Sequence, residues 1–215
     1  MMERGDLTVM HEPFSNRAAQ GSFELAGQAF GSDPELLGRI LELAAAGPVF
    51  VKETTDYGYP ELLGDPRLAH DVANTFIVRD PAEAIASHHA MNPALTLDEV
   101  GFERCWELFE LVRTATGTVP VVIDAADLVA RPAELVEAYC QRVGLPFLAH
   151  ALSWQPGERP EWARTAPWHR AAAGTAGIEA RPASYPETVH THPRLAAYER
   201  HHRPFYDRLR AHRLR

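Results

Sequence analysis

"NTFIVRDPAEAIASHH", residues 74–89, joins a short apolar run to a helix-forming one through Arg-Asp-Pro. "NTFIVR" reads as a buried strand, because a short β-branched and aromatic run bounded by turn residues is too brief for a helix. Asp80 then stands as a helix N-cap, Pro81 fits the first helical position, and Glu83 places negative charge in the first turn. The start of such a helix offers unpaired N–H groups and a partial positive charge. Arg79 leaves the strand beside it, and Ser87 follows about two turns along. Two readings are open. Arg79 pairs with Asp80 or Glu83 and Ser87 is a small packing residue, or Arg79 forks onto a phosphate with Ser87 adding a hydroxyl donor.

Working outward, the chain alternates the two element types. "SDPELLGRILELAAAG" (residues 32–47) has Ser32 and Glu35 at capping-box spacing, and Leu36, Leu37, Ile40, Leu41 and Ala44 on one apolar face. "PVFVKE" reads as a strand, "DPRLAHDVA" as a short helix, "VPVVIDA" as a third buried strand and "RPAELVEAYCQRVG" as a helix ending at Gly144. "TLDEVGFERCWELFELVRTATG" carries a second capping box, Thr96 to Glu99, and stops at Gly117. "LTVM" near the start reads as a strand, after "MMERGDL" as the last turn of a helix stopped by Gly5. Apolar strands separated by helices imply parallel strands joined by helical crossovers. The expected class is α/β, a three-layer α/β/α sandwich with a mainly parallel sheet, in a single domain over residues 1–215.

Residues 150–192 break this pattern, being long, rich in Pro, Trp and Gly, and without clear period. A loop-rich covering segment is expected there, ordered by Trp154, Trp162 and Trp168. The last helix, "PRLAAYERHHRPFYDRLRAHRL", is expected to bend near Pro204.

Composition bounds the function. Hydrophobic residues at 46% and charged residues at 23% suit a globular domain with a sizeable core. A net charge of -8 argues against non-specific nucleic-acid binding, which needs a basic surface. It also weighs against polyanionic acceptors, while leaving room for a local basic pocket. Cys105 and Cys140 fall within apolar helical patterns and read as reduced core thiols. No apolar run is long enough to span a bilayer, and the N-terminus lacks a secretory pattern, so no membrane association and a cytoplasmic setting are expected.

In open parallel sheets ligands bind beyond the C-terminal ends of the strands. "HEPFS" (11–15), "KETTDYGYP" (52–60), "RDPAEAIAS" (79–87) and "DAADL" (124–128) all lie there. Their convergence says more than any one of them. Among the eleven histidines the adjacent pairs His88–His89 and His201–His202 point about 100° apart on a helix and do not chelate one ion. There is no His-Glu-x-x-His and no cysteine pair at ligand spacing, so no metal is expected. Asp124 and Asp127 suit a Walker-B-like acid of a P-loop kinase or NTPase, but the Gly-rich phosphate cradle of that class is not in the sequence.

"TFIVRDPAEAIASHH" resembles the 3′-phosphate-binding segment of the sulfotransferases that use 3′-phosphoadenosine 5′-phosphosulfate (PAPS), in which a strand ends in Arg-(Asp/His)-Pro and a serine follows eight residues after the arginine. "LTVMHEPFS", "PVFVKETTDYGYPELL" and "FERCWELFELVRTATGTVPVVIDAADLVARPAELVEAYCQRVGLPF" are similar, in the same order, to successive segments of bacterial small-molecule sulfotransferase-like proteins. "WHRAAAGTAG" and "HPRLAAYERHHRPFYDRL" match more loosely. The resemblance implies a P-loop-NTPase-like sandwich, PAPS as co-substrate without a metal, and a small-molecule acceptor whose hydroxyl or amine takes the sulfuryl group. It assigns Arg79 and Ser87 to the 3′-phosphate.

If that activity holds, a base must take the acceptor's proton and a cation must meet the developing charge. The candidates are His11, Glu12 and Glu53 for the base, with the carboxylates preferred, and Lys52 for the bridging oxygen. The family's first strand and its Pro-Arg-Ser-Gly-Ser/Thr-like loop have no counterpart here. The chain is therefore expected to hold the 3′-phosphate end of the donor better than its reactive end. An inert nucleotide-binding or scaffold remnant of the same fold is the alternative, and the aromatic stretch 154–168 is expected to shape the acceptor pocket.

Overall fold

The computed structural model describes residues 1–180 and 184–215; residues 181–183, within the expected covering segment, lie outside the described residues. In chain order the first elements are β1 (Thr8–His11), α1 (Pro13–Gln20), β2 (Phe23–Leu25), β3 (Gln28–Phe30), α2 (Asp33–Ala46) and β4 (Val49–Lys52). Then come α3 (Pro60–Leu63), α4 (Pro66–His70), β5 (Thr75–Val78), α5 (Pro81–Met91) and α6 (Phe102–Thr116). They are followed by β6 (Val121–Asp124), α7 (Ala125–Ala130), α8 (Pro132–Val143), α9 (Ala166–Ala173) and α10 (Pro193–Ala211). The fold is mixed α/β. Strands form at the apolar runs the sequence pattern marks, with helices between them, but β2 and β3, α3 and α4, α5 and α6, and α7 to α10 follow one another without the other type intervening.

Two compact units share the chain: residues 1–72 with 148–177, and residues 73–147 with 178–215. In the first unit β1 and β4 pair in parallel, Thr8 opposite Val49 and His11 opposite Lys52. A hairpin absent from the sequence reading, β2–β3, sits between α1 and α2 in the chain. Its two-residue turn, Ala26-Gly27, has φ of 53° and 78°, the backbone that a primed hairpin turn requires. Alanine is a poor turn signal and each strand is three residues long, which is why the pattern hid it. On α2, Leu36, Leu37 and Ile40 are buried as the apolar stripe predicts, while Ala44 is exposed.

The second unit pairs β5 with β6 in parallel, Thr75 opposite Val121 and Val78 opposite Asp124. Its core joins Phe76, Val78, Phe102, Phe109, Val122, Tyr206 and Leu209, so helices α6 and α10 pack on this strand pair. A second cluster, Ile85, Leu95 and Leu195, ties α5 to α10. α10 runs through Pro204 from Pro193 to Ala211.

Local readings differ at three points. The turn before Gly5 is a short 3-10 turn, Met2–Arg4, rather than α-helix. The Thr96–Glu99 box forms only by half: the Thr96 N–H donates to Glu99 Oε2 at 2.7 Å, but the Thr96 hydroxyl donates to the same oxygen at 2.9 Å instead of capping a backbone N–H. It leads into a 3-10 turn at Asp98–Val100, and α6 begins only after Gly101, whose φ of 80° breaks the run. Within 150–192, α9 supplies helix where the sequence suggested loop. Cys105 and Cys140 are thiols, and burial pushes the Cys105 thiol up to about 12.

Candidate functional site

In a parallel pair both strands finish at the same edge, so the β1–β4 register sets His11 beside Lys52 and delivers Glu12 and Glu53 just beyond them. Glu12 N–H donates to the Lys52 carbonyl at 2.7 Å, extending the ladder one step past the strand. The chain must then turn at once into α1. Glu12 does so in the left-handed region, φ 51° and ψ 49°, a conformation that costs a non-glycine residue about 1–2 kcal/mol. Asn16 holds it there, with its backbone N–H (2.9 Å) and its Nδ2 (2.7 Å) both donating to the Glu12 carbonyl. Strain retained under such clamping is a recurring mark of functional positions.

The Glu12 carboxylate pairs with the Lys52 ammonium, and His11 Nε2 lies 3.5 Å from the same oxygen, Oε1. His169, delivered by α9, brings its Nε2 to 3.0 Å from His11 Nε2 and 3.1 Å from Thr165 Oγ1. The Trp162 ring stacks on His169 at 4.9 Å between centroids and 22° between planes. Burial lowers the pKa of His11, and the Lys52 charge and His169 add to this against the opposing pull of Glu12. His169 is lowered for the same first reason, and Lys52 again acts with burial while Glu12 acts against it. Both rings are held toward the neutral form.

Glu53 points elsewhere. Its Oε2 accepts the Phe14 N–H at 2.8 Å and its Oε1 accepts the Thr54 N–H at 3.0 Å, so it caps the start of α1 from the end of β4. Burial still raises its carboxyl to about 7. Below it Ser15 Oγ meets Thr54 Oγ1 and Tyr59 Oη, each at 2.7 Å. Burial, then the nearby Glu53, raises the Tyr59 phenol.

Arg79 and Ser87 belong to the second unit. Arg79 Nε donates to Glu83 Oε2 at 3.0 Å in a pair whose side chains are 41% and 64% exposed. This is one of the two partners considered from spacing. Asp80 is held separately: its Oδ1 caps the Ala82 N–H at 2.9 Å, and Arg203 grips both carboxylate oxygens at 2.8 and 3.2 Å. Ser87 is partly buried on α5. Asp124, the Walker-B-like candidate, is engaged within its own unit by Tyr206 Oη, Arg210 Nε and the Ala126 N–H, each at 2.9 Å. Asp127 pairs with Arg213 at 2.9 Å.

His11, Glu12 and Lys52 are thus brought together with Glu53 turned to the start of α1, while in the other unit Arg79 follows the end of β5 and Ser87 lies on α5. The residue that sequence reasoning missed is His169, 158 positions from His11. Its segment, "WHRAAAGTAG", carried only a loose resemblance, and a lone histidine in it has no spacing signal.

A profile of the sulfotransferase domain matches residues 1–213, and the chain belongs to that family. Among curated proteins it is similar to two from Arabidopsis thaliana. It is 27% identical over 59% of its length to branched-chain-amino-acid aminotransferase-like protein 2. It is 30% identical over 63% of its length to branched-chain-amino-acid aminotransferase-like protein 1. The matches cover 22% and 24% of those proteins, so the chain corresponds to under a quarter of each. No solved structure matches. Among the described residues no helix is long and apolar enough to cross a membrane.

Proposed function

We propose that this sulfotransferase-family chain acts in transfer of a sulfuryl group from PAPS to the hydroxyl or amine of a small molecule. The observation that carries the reading is the meeting of His11, Glu12 and Lys52 at the C-terminal edge of a parallel strand pair, inside a family match that runs over residues 1–213. In the reaction the acceptor oxygen or nitrogen bonds to sulfur as the bond from sulfur to the phosphate oxygen breaks. Adenosine 3′,5′-bisphosphate leaves, and the acceptor's proton passes to a protein base.

His11 suits the base. Burial favours its neutral form, and Glu12 Oε1 at 3.5 Å steadies the imidazolium that results. The structure thereby favours His11 over the carboxylates preferred from sequence, because Glu12 is committed to Lys52 and Glu53 to two backbone N–H groups. Lys52, its side chain 43% exposed, is the cation for charge building on the bridging oxygen. Arg79 is assigned to the 3′-phosphate with Ser87. Releasing Glu83 costs it little, since an exposed pair contributes under about 1 kcal/mol. Trp162, stacked on His169, offers an aromatic wall to an acceptor ring. A cytoplasmic setting fits this donor.

The test is a thermal-shift titration with adenosine 3′,5′-bisphosphate, followed by transfer of radiolabelled sulfate from PAPS to a panel of phenols, alcohols and amines. Stabilisation by the nucleotide, weakened about tenfold or more in Arg79→Ala, is the expected result. No stabilisation of the unmutated chain, or an Arg79→Ala titration indistinguishable from it, refutes the phosphate assignment. Nucleotide binding without transfer to any acceptor leads instead to the inert nucleotide-binding alternative.

A further inference from the structure

We propose that His11, Glu12 and His169 form a binding site for one divalent transition ion of the zinc class. The ligand atoms of the three side chains all lie within 4.8 Å of one another. Zinc bonds to imidazole nitrogen and carboxylate oxygen at roughly 2.0–2.2 Å, which sets tetrahedral ligand separations of about 3.4 Å. The separations of 3.0 Å between the two Nε2 atoms and 3.5 Å from His11 Nε2 to Glu12 Oε1 bracket that figure. The third edge, His169 to Glu12, is no longer than 4.8 Å, and rotation of the Glu12 side chain can adjust it.

Tautomer chemistry separates this group from the other candidate. An imidazole that ligates through Nε2 carries its proton on Nδ1. Neither Nδ1 of His11 nor that of His169 is a buried atom lacking a partner, so both rings can adopt that tautomer without stranding a proton. The similar group His89, Glu187 and His192 in the second unit is wired the opposite way. There the Arg194 N–H donates to His192 Nδ1 at 3.2 Å, which puts the proton of the neutral ring on Nε2. His89 Nδ1 is buried without a partner, and its Nε2 lies 2.8 Å from Glu187 Oε2 as a donor. That group is built for hydrogen bonds to a carboxylate, whereas the His11 group gathers two imidazole nitrogens and a carboxylate oxygen within 4.8 Å of one another, and an ion displaces the one proton shared between the two Nε2 atoms.

The remaining polar neighbours include Thr165 Oγ1, whose hydroxyl proton is free to rotate, Lys52 Nζ on Glu12, and the Glu161 carboxylate, whose charge acts on His11. The ammonium is the competitor. It sits on a flexible stem with 43% of the side chain exposed, so it can swing to solvent when an ion arrives. One consequence rests on the sulfuryl-transfer reading: an ion here occupies the base and strips Lys52 of its partner, so zinc inhibits transfer.

The experiment uses the full chain after dialysis against a chelator, titrated with Zn2+ in a calorimeter. One ion per chain is expected, with affinity about tenfold or more weaker in His11→Ala and His169→Ala and unchanged in His192→Ala. In the unmutated protein, bound Zn2+ is expected to protect His11 and His169, but not the more exposed His201, from carbethoxylation read by peptide mass spectrometry. That measurement needs no variant to fold. Absence of Zn2+ binding, binding lost only in His192→Ala, or modification of His11 and His169 undiminished by zinc overturns the inference. Nucleotide binding is scored separately by the bisphosphate titration, so failure of either proposal is visible without the other.

Discussion

Glu53 shows how much one residue's environment decides. From sequence it ranked with Glu12 as a base, yet its two carboxylate oxygens are spent on the Phe14 and Thr54 N–H groups. Burial raises its carboxyl from 4.5 to about 7. The folded chain therefore binds more protons at this residue than the unfolded chain between these values, and stability falls with rising pH there. The contribution is fully present below about 4.5 and lost as pH rises through about 7, amounting to about 3 kcal/mol. Urea denaturation from pH 4.5 to 7.5 should show Glu53→Gln less stable than the parent at the acid end by about 1 kcal/mol, from the mismatched N–H contact. The difference should reverse by pH 7.5, with Glu53→Gln the more stable by about 2 kcal/mol. A constant gap across the range would mean that Glu53 titrates normally. Glu12 and Glu53 were equally legible as strand-end carboxylates. What distinguished them is which donors the fold brought near, and no local spacing encodes that.

At the scale of elements, the start of α5 was the most legible feature. Asp80, Pro81 and Glu83 are local signals, and the cap forms as the sequence predicts, with Asp80 accepting from the Ala82 N–H. Arg203, 123 residues away on α10, was not legible, although it grips both oxygens of that cap. It is also the first cause of the lowered Asp80 carboxyl. Asp80→Ala removes both the cap and the cross-helix contact and should cost about 1–3 kcal/mol in chemical denaturation. Arg79→Ala, one residue earlier, removes an exposed pair and should change stability by less than about 0.5 kcal/mol. Equal losses in the two variants would contradict this division between a structural aspartate and an arginine held only by an exposed ion pair. The β2–β3 hairpin marks the opposite limit, because strands of three residues around Ala-Gly carry too little pattern to register.

For the whole molecule, the chain builds two units out of interleaved segments, and the second has its aromatic core around Phe109. That ring is fully buried, meets Phe76 edge-on at 5.6 Å and stacks on Trp106 at 5.3 Å. Phe109→Ala should destabilise the second unit by about 3–5 kcal/mol. Amide exchange should accelerate in peptides from β5, β6, α6 and α10, and unchanged protection there would show that the core does not depend on this ring. The sequence by itself determined the main strand-forming and helix-forming runs, the Asp80 cap, the apolar stripes and the strand-end placing of His11, Glu12, Lys52, Glu53 and Arg79. These follow from periodicity and backbone chemistry acting over a few residues. The Ser32 capping box expected at α2, by contrast, makes no side-chain bond to the helix backbone. Only the tertiary structure decided the parallel registers, the division into two units, and the meeting of His11 with His169 across 158 positions. Such contacts are selected by the packing of the entire chain, and no local period records which distant segment supplies the partner.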